Sequence, residues 1–282
     1  MQISRARYAG ACYGVKRALR LVDEAIASTN NTPPVYTLGP LIHNPQVVEN
    51  LQAKGVRTID SPDQAKHGTV VIRSHGVSPQ IIEQLKLRGL QIVDATCPHV
   101  TKAQKAASDL ARAGYTVVVV GQAGHPEVEG ISAYAGQPVY IVQSPDELPI
   151  FAANALVGVV AQTTQTAEAL AAVVRGIEAQ GIIPTVHDTV CFATRQRQES
   201  ASELAARVDV MLVVGGRNSS NTTRLAELCS AVCTRTFHIE QASEIDAEWF
   251  TKAESVGIAA GASTPEDQLV SVEKFLAQLL GS

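Results

Sequence analysis

Residues 116–122 read TVVVVGQ, and this stretch decides the class of fold. Four valines in a row leave no alternation between a dry and a wet face, so the strand needs apolar cover on both sides. A parallel sheet flanked by helices meets that need. Working outward, the same kind of run recurs upstream as PVYTL (34–38), TVVIRS (69–74) and LQIVDAT (90–96). Downstream come PVYIVQ (138–143), LVGVVAQT (156–163), TVHDTV (185–190), VDVMLVVGG (208–216), TRTFHI (234–239) and SVGIAAG (255–261). Between them lie helical-period segments: VKRALRLVDEAIAS (15–28), VTKAQKAASDLARAG (100–114), TAEALAAVVRGIEAQG (166–181) and RQRQESASELAARV (195–208). Gly114 and Gly181 read as helix stops. The fold class is α/β.

The strands fall into three groups, with Cys97 and Cys191 at the group boundaries and Cys12 at the start of the first. This rhythm predicts three small units, 13–97, 98–190 and 191–282, with residues 1–12 adding a strand to the last. No literal sequence repeat is visible. Each of the three cysteines opens a helical stretch, where backbone N–H groups and the helix dipole favour a thiolate. Three such ends converging on one centre would leave one iron of a cubic iron-sulfur cluster without a protein ligand, an open position for substrate.

With 282 residues and 45% hydrophobic content, the chain can bury a substantial core. No apolar run approaches the roughly 20 residues that cross a bilayer. The start, MQISRARYAGACYG, lacks the apolar centre of a secretory signal, so the expected location is the cytoplasm. The formal charge of -4 is spread without a basic block, which argues against nucleic acid as a partner, as the hydropathy argues against a membrane. Five scattered cysteines, an odd number, fit metal or catalytic thiols in a reducing compartment better than a disulfide framework. Neither a phosphate-binding lysine loop nor a dinucleotide fingerprint occurs, so ATP and nicotinamide are not expected as bound cofactors.

Polar motifs follow the strands, where parallel sheets bind ligands. They contribute His43 and Asn44, then Ser74 and His75, then His125, Glu127 and Glu129. Later strands add Gln162, Thr163 and Thr164, then Ser219, Ser220 and Asn221, then Ser263. In RNSSNTTRL the hydroxyls and amide sit at a helix start after a glycine pair, suiting a phosphate, although the plain alternative is an N-cap. Histidines 43, 75 and 125 are candidates for charge-assisted bonds to the same anion. Glu127, in a turn bounded by glycine and proline, is a candidate proton carrier; the plain alternative is a solvated loop acid. His67, His99, His187 and His238 fall outside the pattern. Cys229 and Cys233, on the helix AELCSAVC, read as small buried hydrophobes rather than a metal clip.

The set GACYGVKRAL, GPLIHNPQVV, SHGVSP, DATCPHVTKAQ, GHPEVEG, AQTTQT, DTVCFATRQRQ, GGRNSSNTTRL and GASTPE, running from about residue 10 to 267, resembles the 4-hydroxy-3-methylbut-2-enyl diphosphate reductase family. The resemblance implies three α/β units arranged as a trefoil around a central [4Fe-4S] cluster bound by Cys12, Cys97 and Cys191. It implies that His43, His75, His125, Ser219, Ser220, Asn221 and Ser263 bind the substrate diphosphate. Glu127 would deliver protons with His125 beside the relay, and Thr163 would lie by the substrate hydroxyl. The implied reaction is a two-electron, two-proton reductive dehydroxylation of an allylic diphosphate, fed by reduced ferredoxin or flavodoxin. Ala11 and Tyr13 depart from the family's commonest pattern and bear on cluster packing. Two alternatives compete with this reading: another three-cysteine cluster enzyme of quinolinate synthase-like type, and a non-catalytic metal-thiolate sensor.

Overall fold

The computed structural model describes residues 1–28 and 34–281. In chain order they form β1 (Gln2–Arg5), α1 (Tyr13–Ser28), β2 (Val35–Leu38), α2 (Pro45–Ala53), β3 (Arg57–Ile59), β4 (Thr69–Ile72), α3 (Pro79–Leu87), β5 (Gln91–Asp94), α4 (Pro98–Arg112), β6 (Thr116–Val120) and α5 (Pro126–Ala135). They continue as β7 (Tyr140–Val142), β8 (Val157–Ala161), α6 (Ala167–Glu178), β9 (Thr185–Val186), α7 (Phe192–Ala205), β10 (Val210–Val214), α8 (Ser220–Ser230), β11 (Thr236–Ile239), β12 (Ser255–Ala260) and α9 (Glu266–Leu280). The chain divides into two compact units: 1–16, 42–49 and 192–282 in the first, 17–41 and 50–191 in the second.

The second unit holds two parallel sheets, ordered β3-β2-β4-β5 and β7-β6-β8-β9. The valine run behaves as its composition requires. Val118 and Val120 pack with Val142, Val159, Leu170 and Ile177 on one face of β6, while Val117 and Val119 pack with Ala107, Leu110, Val128 and Ile131 on the other. Both faces are dry. The first unit holds one parallel sheet, β1-β12-β10-β11, whose strand β10 sends Val210, Leu212 and Val214 into one core and Met211 and Val213 into another.

All three sheets share one layout. The first strand of each set (β2, β6, β10) is internal, the second (β3, β7, β11) flanks it outside, and the third (β4, β8, β12) lies on its other side. A fourth strand (β5, β9, β1) completes the sheet and leads into a cysteine-headed helix (α4, α7, α1). In the third set the fourth strand comes from the chain's first residues, so the repeat is circularly permuted. From the first strand the order runs one way to the second and the other way to the third, and the crevice beyond the carboxyl ends of the first and third strands is where such parallel sheets receive ligands.

The structure corrects several expectations. Residues 185–190 were expected as one strand, but only Thr185–Val186 pair; beyond them the hydroxyl of Thr189 accepts from Ala161 N at 2.8 Å in place of a backbone carbonyl. Helix α5 begins at Pro126, so Glu127 lies in a first helical turn and not in a loop. The pattern hides this helix because its buried face carries Glu127 and Gly130 beside Val128 and Ile131. Cys233 lies past the end of α8, with its N–H on Cys229 O at 2.7 Å. Strand β3 escapes a hydropathy reading because two of its three residues are exposed at a sheet edge.

Candidate active site

None of the five cysteines forms a disulfide; Cys12, Cys97 and Cys191 are part-buried and Cys229 and Cys233 buried. The three part-buried ones occupy the same place in the three sheets. Cys97 N donates to Ser74 O (2.9 Å), Cys191 N to Thr163 O (3.0 Å) and Cys12 N to Ala262 O (3.1 Å). Each acceptor is the second residue past the end of the third strand, β4, β8 or β12. Each cysteine immediately precedes its helix, and the carbonyls of Cys12 and Cys97 accept the first helical bonds, from Lys16 N (2.9 Å) and Thr101 N (3.0 Å). Cys229 differs in kind. Burial and the neighbouring Cys233 push its thiol up to about 12, which keeps it neutral, and it packs with Leu225 and Met211.

In the second unit the loops after β6 and β8 meet around Glu127, a residue only 2% exposed. Its Oε1 accepts from Thr163 N at 2.6 Å and its Oε2 from Thr163 Oγ at 3.0 Å. Burial raises the carboxyl to about 7 against these two opposing bonds. Gly121 permits the approach: a Cβ there would stand 2.7 Å from Val128 Cγ2 and 3.0 Å from Gln162 Cβ. His125 caps α5, its Nδ1 accepting from Glu127 N at 3.1 Å, which places the hydrogen of a neutral ring on Nε2. His75 meets His125 edge to face, centroids 5.6 Å apart. Ser74, Gln162 and Thr163 are buried in the same unit, and Glu129 is exposed with its Oε1 accepting from Gly124 N.

In the first unit the loops after β10 and β12 meet residues 43 and 44. Ser263 Oγ donates to His43 O at 3.1 Å. Asn44 Nδ2 donates to Ser263 O and Gln268 Oε1, both at 3.0 Å. Gly216 lies so near that a Cβ would be 2.7 Å from His43 O. Ser219 caps α8 by accepting from Thr222 N, so the N-cap role foreseen for this serine is present. Asn221 is different: it is 4% exposed, and neither its Oδ1 nor its Nδ2 has a hydrogen-bond partner among the described residues. A buried amide left unpaired costs stability, a cost that a polar ligand recovers.

The remaining histidines stay apart from these groups. His67, His99 and His187 are exposed, and His238 bonds Gly215 O at 2.9 Å. The close approach at Gly216 agrees with the glycine pair read before RNSSNTTRL, whereas the sequence reading missed Gly121; its only signal is a glycine directly after a strand.

These features define an α/β protein that presents a raised-pKa acid, an unpaired amide and three equivalently placed cysteines at the strand ends of its sheets. The family described as LytB protein matches residues 3–277, and the chain belongs to that family. It is 50% identical to the 4-hydroxy-3-methylbut-2-enyl diphosphate reductase of Geobacter sulfurreducens over 94% of this chain and 93% of that one. With the enzyme of the same name from Geotalea uraniireducens it shares 48% over 98% of each chain. A solved structure of (E)-4-hydroxy-3-methyl-but-2-enyl diphosphate reductase, the terminal enzyme of the non-mevalonate pathway, is 41% identical, with a TM-score of 0.72 and coverage of 99% and 100%. The Plasmodium falciparum reductase structure is 26% identical with a TM-score of 0.92, covering 98% of this chain and 88% of that one.

Proposed function

We propose that this protein reduces (E)-4-hydroxy-3-methylbut-2-enyl diphosphate to isopentenyl diphosphate and dimethylallyl diphosphate at a [4Fe-4S] cluster held by Cys12, Cys97 and Cys191. The observation that carries the reading is the equivalence of the cysteines, each bonded through its N–H to the carbonyl two residues past a third strand. The donor set fits: three thiols outside any disulfide would hold three irons of a cube and leave the fourth for substrate. When bound, the cluster supplies electrons singly and a Lewis-acidic iron. On this reading the chain comprises units 13–97, 98–190 and 191–282, with 1–12 added to the last, arranged as a trefoil about the cluster.

Ser219, Ser220, Asn221 and Ser263 hold the diphosphate together with His43 and His75, and His125 offers its Nε2 hydrogen to the same anion or to the relay. Fixing the diphosphate orients the allylic alcohol. Glu127, poised near neutrality, moves protons. When protonated it donates from Oε2 to Thr163 Oγ, which frees the threonine hydroxyl hydrogen for the substrate oxygen, while Thr163 N still holds Oε1. Two electrons and two protons turn the alcohol into the alkene pair and water.

Reduced ferredoxin or flavodoxin is the electron donor in this reading. The opening turns of the three cysteine-headed helices support it. They carry Lys16 and Arg20, Lys102 and Lys105, and Arg195, and no acidic residue before Asp23, Asp109 and Glu199. Cations at helix N-termini oppose the dipole, whereas they attract an acidic carrier. No helix among the described residues is long and apolar enough to cross a membrane.

The deciding assay is anaerobic: reconstituted protein, the alcohol diphosphate and dithionite, with products resolved by chromatography. Both five-carbon diphosphates form only with reductant. Turnover without reductant, or a colourless zinc-loaded protein, overturns the reading. Replacing Asn221 by Ala weakens diphosphate binding by roughly 1 to 3 kcal/mol. The same change leaves melting of the ligand-free protein level or higher, since the amide has no partner among the described residues. Unchanged KM with lowered melting would assign Asn221 to the fold alone.

A further inference from the structure

Two arginines outside the substrate-binding set hold the backbone that leads into the cysteines. Arg197, on α7, is 7% exposed and places its guanidinium on Gly10 O, with Nη2 at 2.7 Å and Nε at 3.3 Å. Its Nη1 donates to Ala193 O at 2.8 Å. Gly10 stands two residues before Cys12, and Ala193 two after Cys191. Gly10 has φ +97, a left-handed conformation in which a side chain is strained, and a Cβ there would meet Leu269 at 3.1 Å. The carbonyl is therefore turned toward the guanidinium by a residue that only glycine replaces without strain.

Arg17, on α1, does the corresponding thing elsewhere. Its Nη1 donates to Thr96 O at 3.1 Å and its Nη2 to Asp94 O at 3.3 Å. Thr96 directly precedes Cys97, and Arg17 follows Cys12 by little more than one helical turn. The helix opened by Cys191 thus grips the approach to Cys12, and the helix opened by Cys12 grips the approach to Cys97. Arginine suits this task because its fixed fork reaches two acceptors at once without losing its charge.

We propose that Arg17 and Arg197 are positioning residues for the cluster cysteines, a latch in which one cysteine-headed helix holds the backbone entering the next cysteine. The latch rests on the cluster reading above. It pre-sets each thiol against its iron, and its loss acts on the rate at which iron departs. Supports of this kind set metal affinity by about 10- to 100-fold.

The test uses anaerobically reconstituted full-length protein: wild type, Arg197→Met, Arg17→Met and the corresponding lysine variants. Iron release to a colorimetric chelator is followed, with iodoacetamide labelling of the emerging thiols read by mass spectrometry. Melting of the cluster-free proteins is measured alongside. Release accelerates about 10- to 100-fold in the methionine variants and by less in the lysine variants, with melting unchanged. Labelling appears first at Cys12 for Arg197→Met and first at Cys97 for Arg17→Met. Wild-type release rates, or the same labelling order in every variant, overturn the latch. If a methionine variant does not fold, its lysine counterpart decides by the same two readings. Failure of the wild type to take up iron and sulfide overturns the cluster reading instead, and the latch with it.

Discussion

Replacing Cys12, Cys97 or Cys191 singly by serine abolishes turnover and lowers iron and acid-labile sulfide well below the about four of each expected per loaded chain. A serine hydroxyl at neutral pH supplies no anionic sulfur for iron, and the two other thiols, Cys229 and Cys233, are buried in a core. Cys229→Ala is the matching control. That thiol is buried, pushed up to about 12 and packed in a core, so its loss costs roughly 1 kcal/mol of stability and leaves the iron content alone. Iron and sulfide analysis, visible absorption and anaerobic turnover check the series. A serine variant that keeps a full complement of iron and wild-type turnover removes that cysteine from the site.

Glu127→Gln slows turnover by about 10² or more while iron content and substrate affinity stay at wild-type values. Glutamine preserves the shape, and its Oε1 still accepts from Thr163 N, but it has no proton to give. In the wild type the rate falls as pH rises through about 7, because the acid must be protonated to act. The variant loses that limb of the profile. Stability moves with the same titration. The folded carboxyl sits at about 7 and the ordinary value is 4.5, so its contribution is complete below 4.5 and is lost between 4.5 and 7. Above that window the wild type carries a buried charge that Glu127→Gln lacks, worth roughly 3 kcal/mol by the size of the shift. Melting scans at pH 5 and pH 8 read the difference directly. A variant with wild-type rates removes Glu127 from proton delivery.

The rim of the fold was legible from particular residues. The valines of 116–122 demanded two apolar faces, and the polar residues after each strand fell where parallel sheets bind ligands. Less legible was the buried state of Glu127. Its helix carries an acid and a glycine on the inward face, a pattern that resembles a loop until packing shows Gly121 making room and Thr163 supplying partners. Arg17 and Arg197 gave no signal either, because a charge on a helix ordinarily reads as a solvated face. Their partners are backbone carbonyls 79 and 187 residues away in the chain.

By itself, then, the sequence determined the α/β class, the strand-end location of the polar motifs and the helix-opening place of Cys12, Cys97 and Cys191, because hydropathy period and residue chemistry act locally. Only the tertiary structure decided that these cysteines are equivalent. The repeat lies in strand order and in one N–H bond per cysteine, and β1 reaches its sheet from the opposite end of the chain. It also decided which acid is buried and which amide is left unpaired. Desolvation and hydrogen-bond satisfaction depend on neighbours that the chain brings together only on folding.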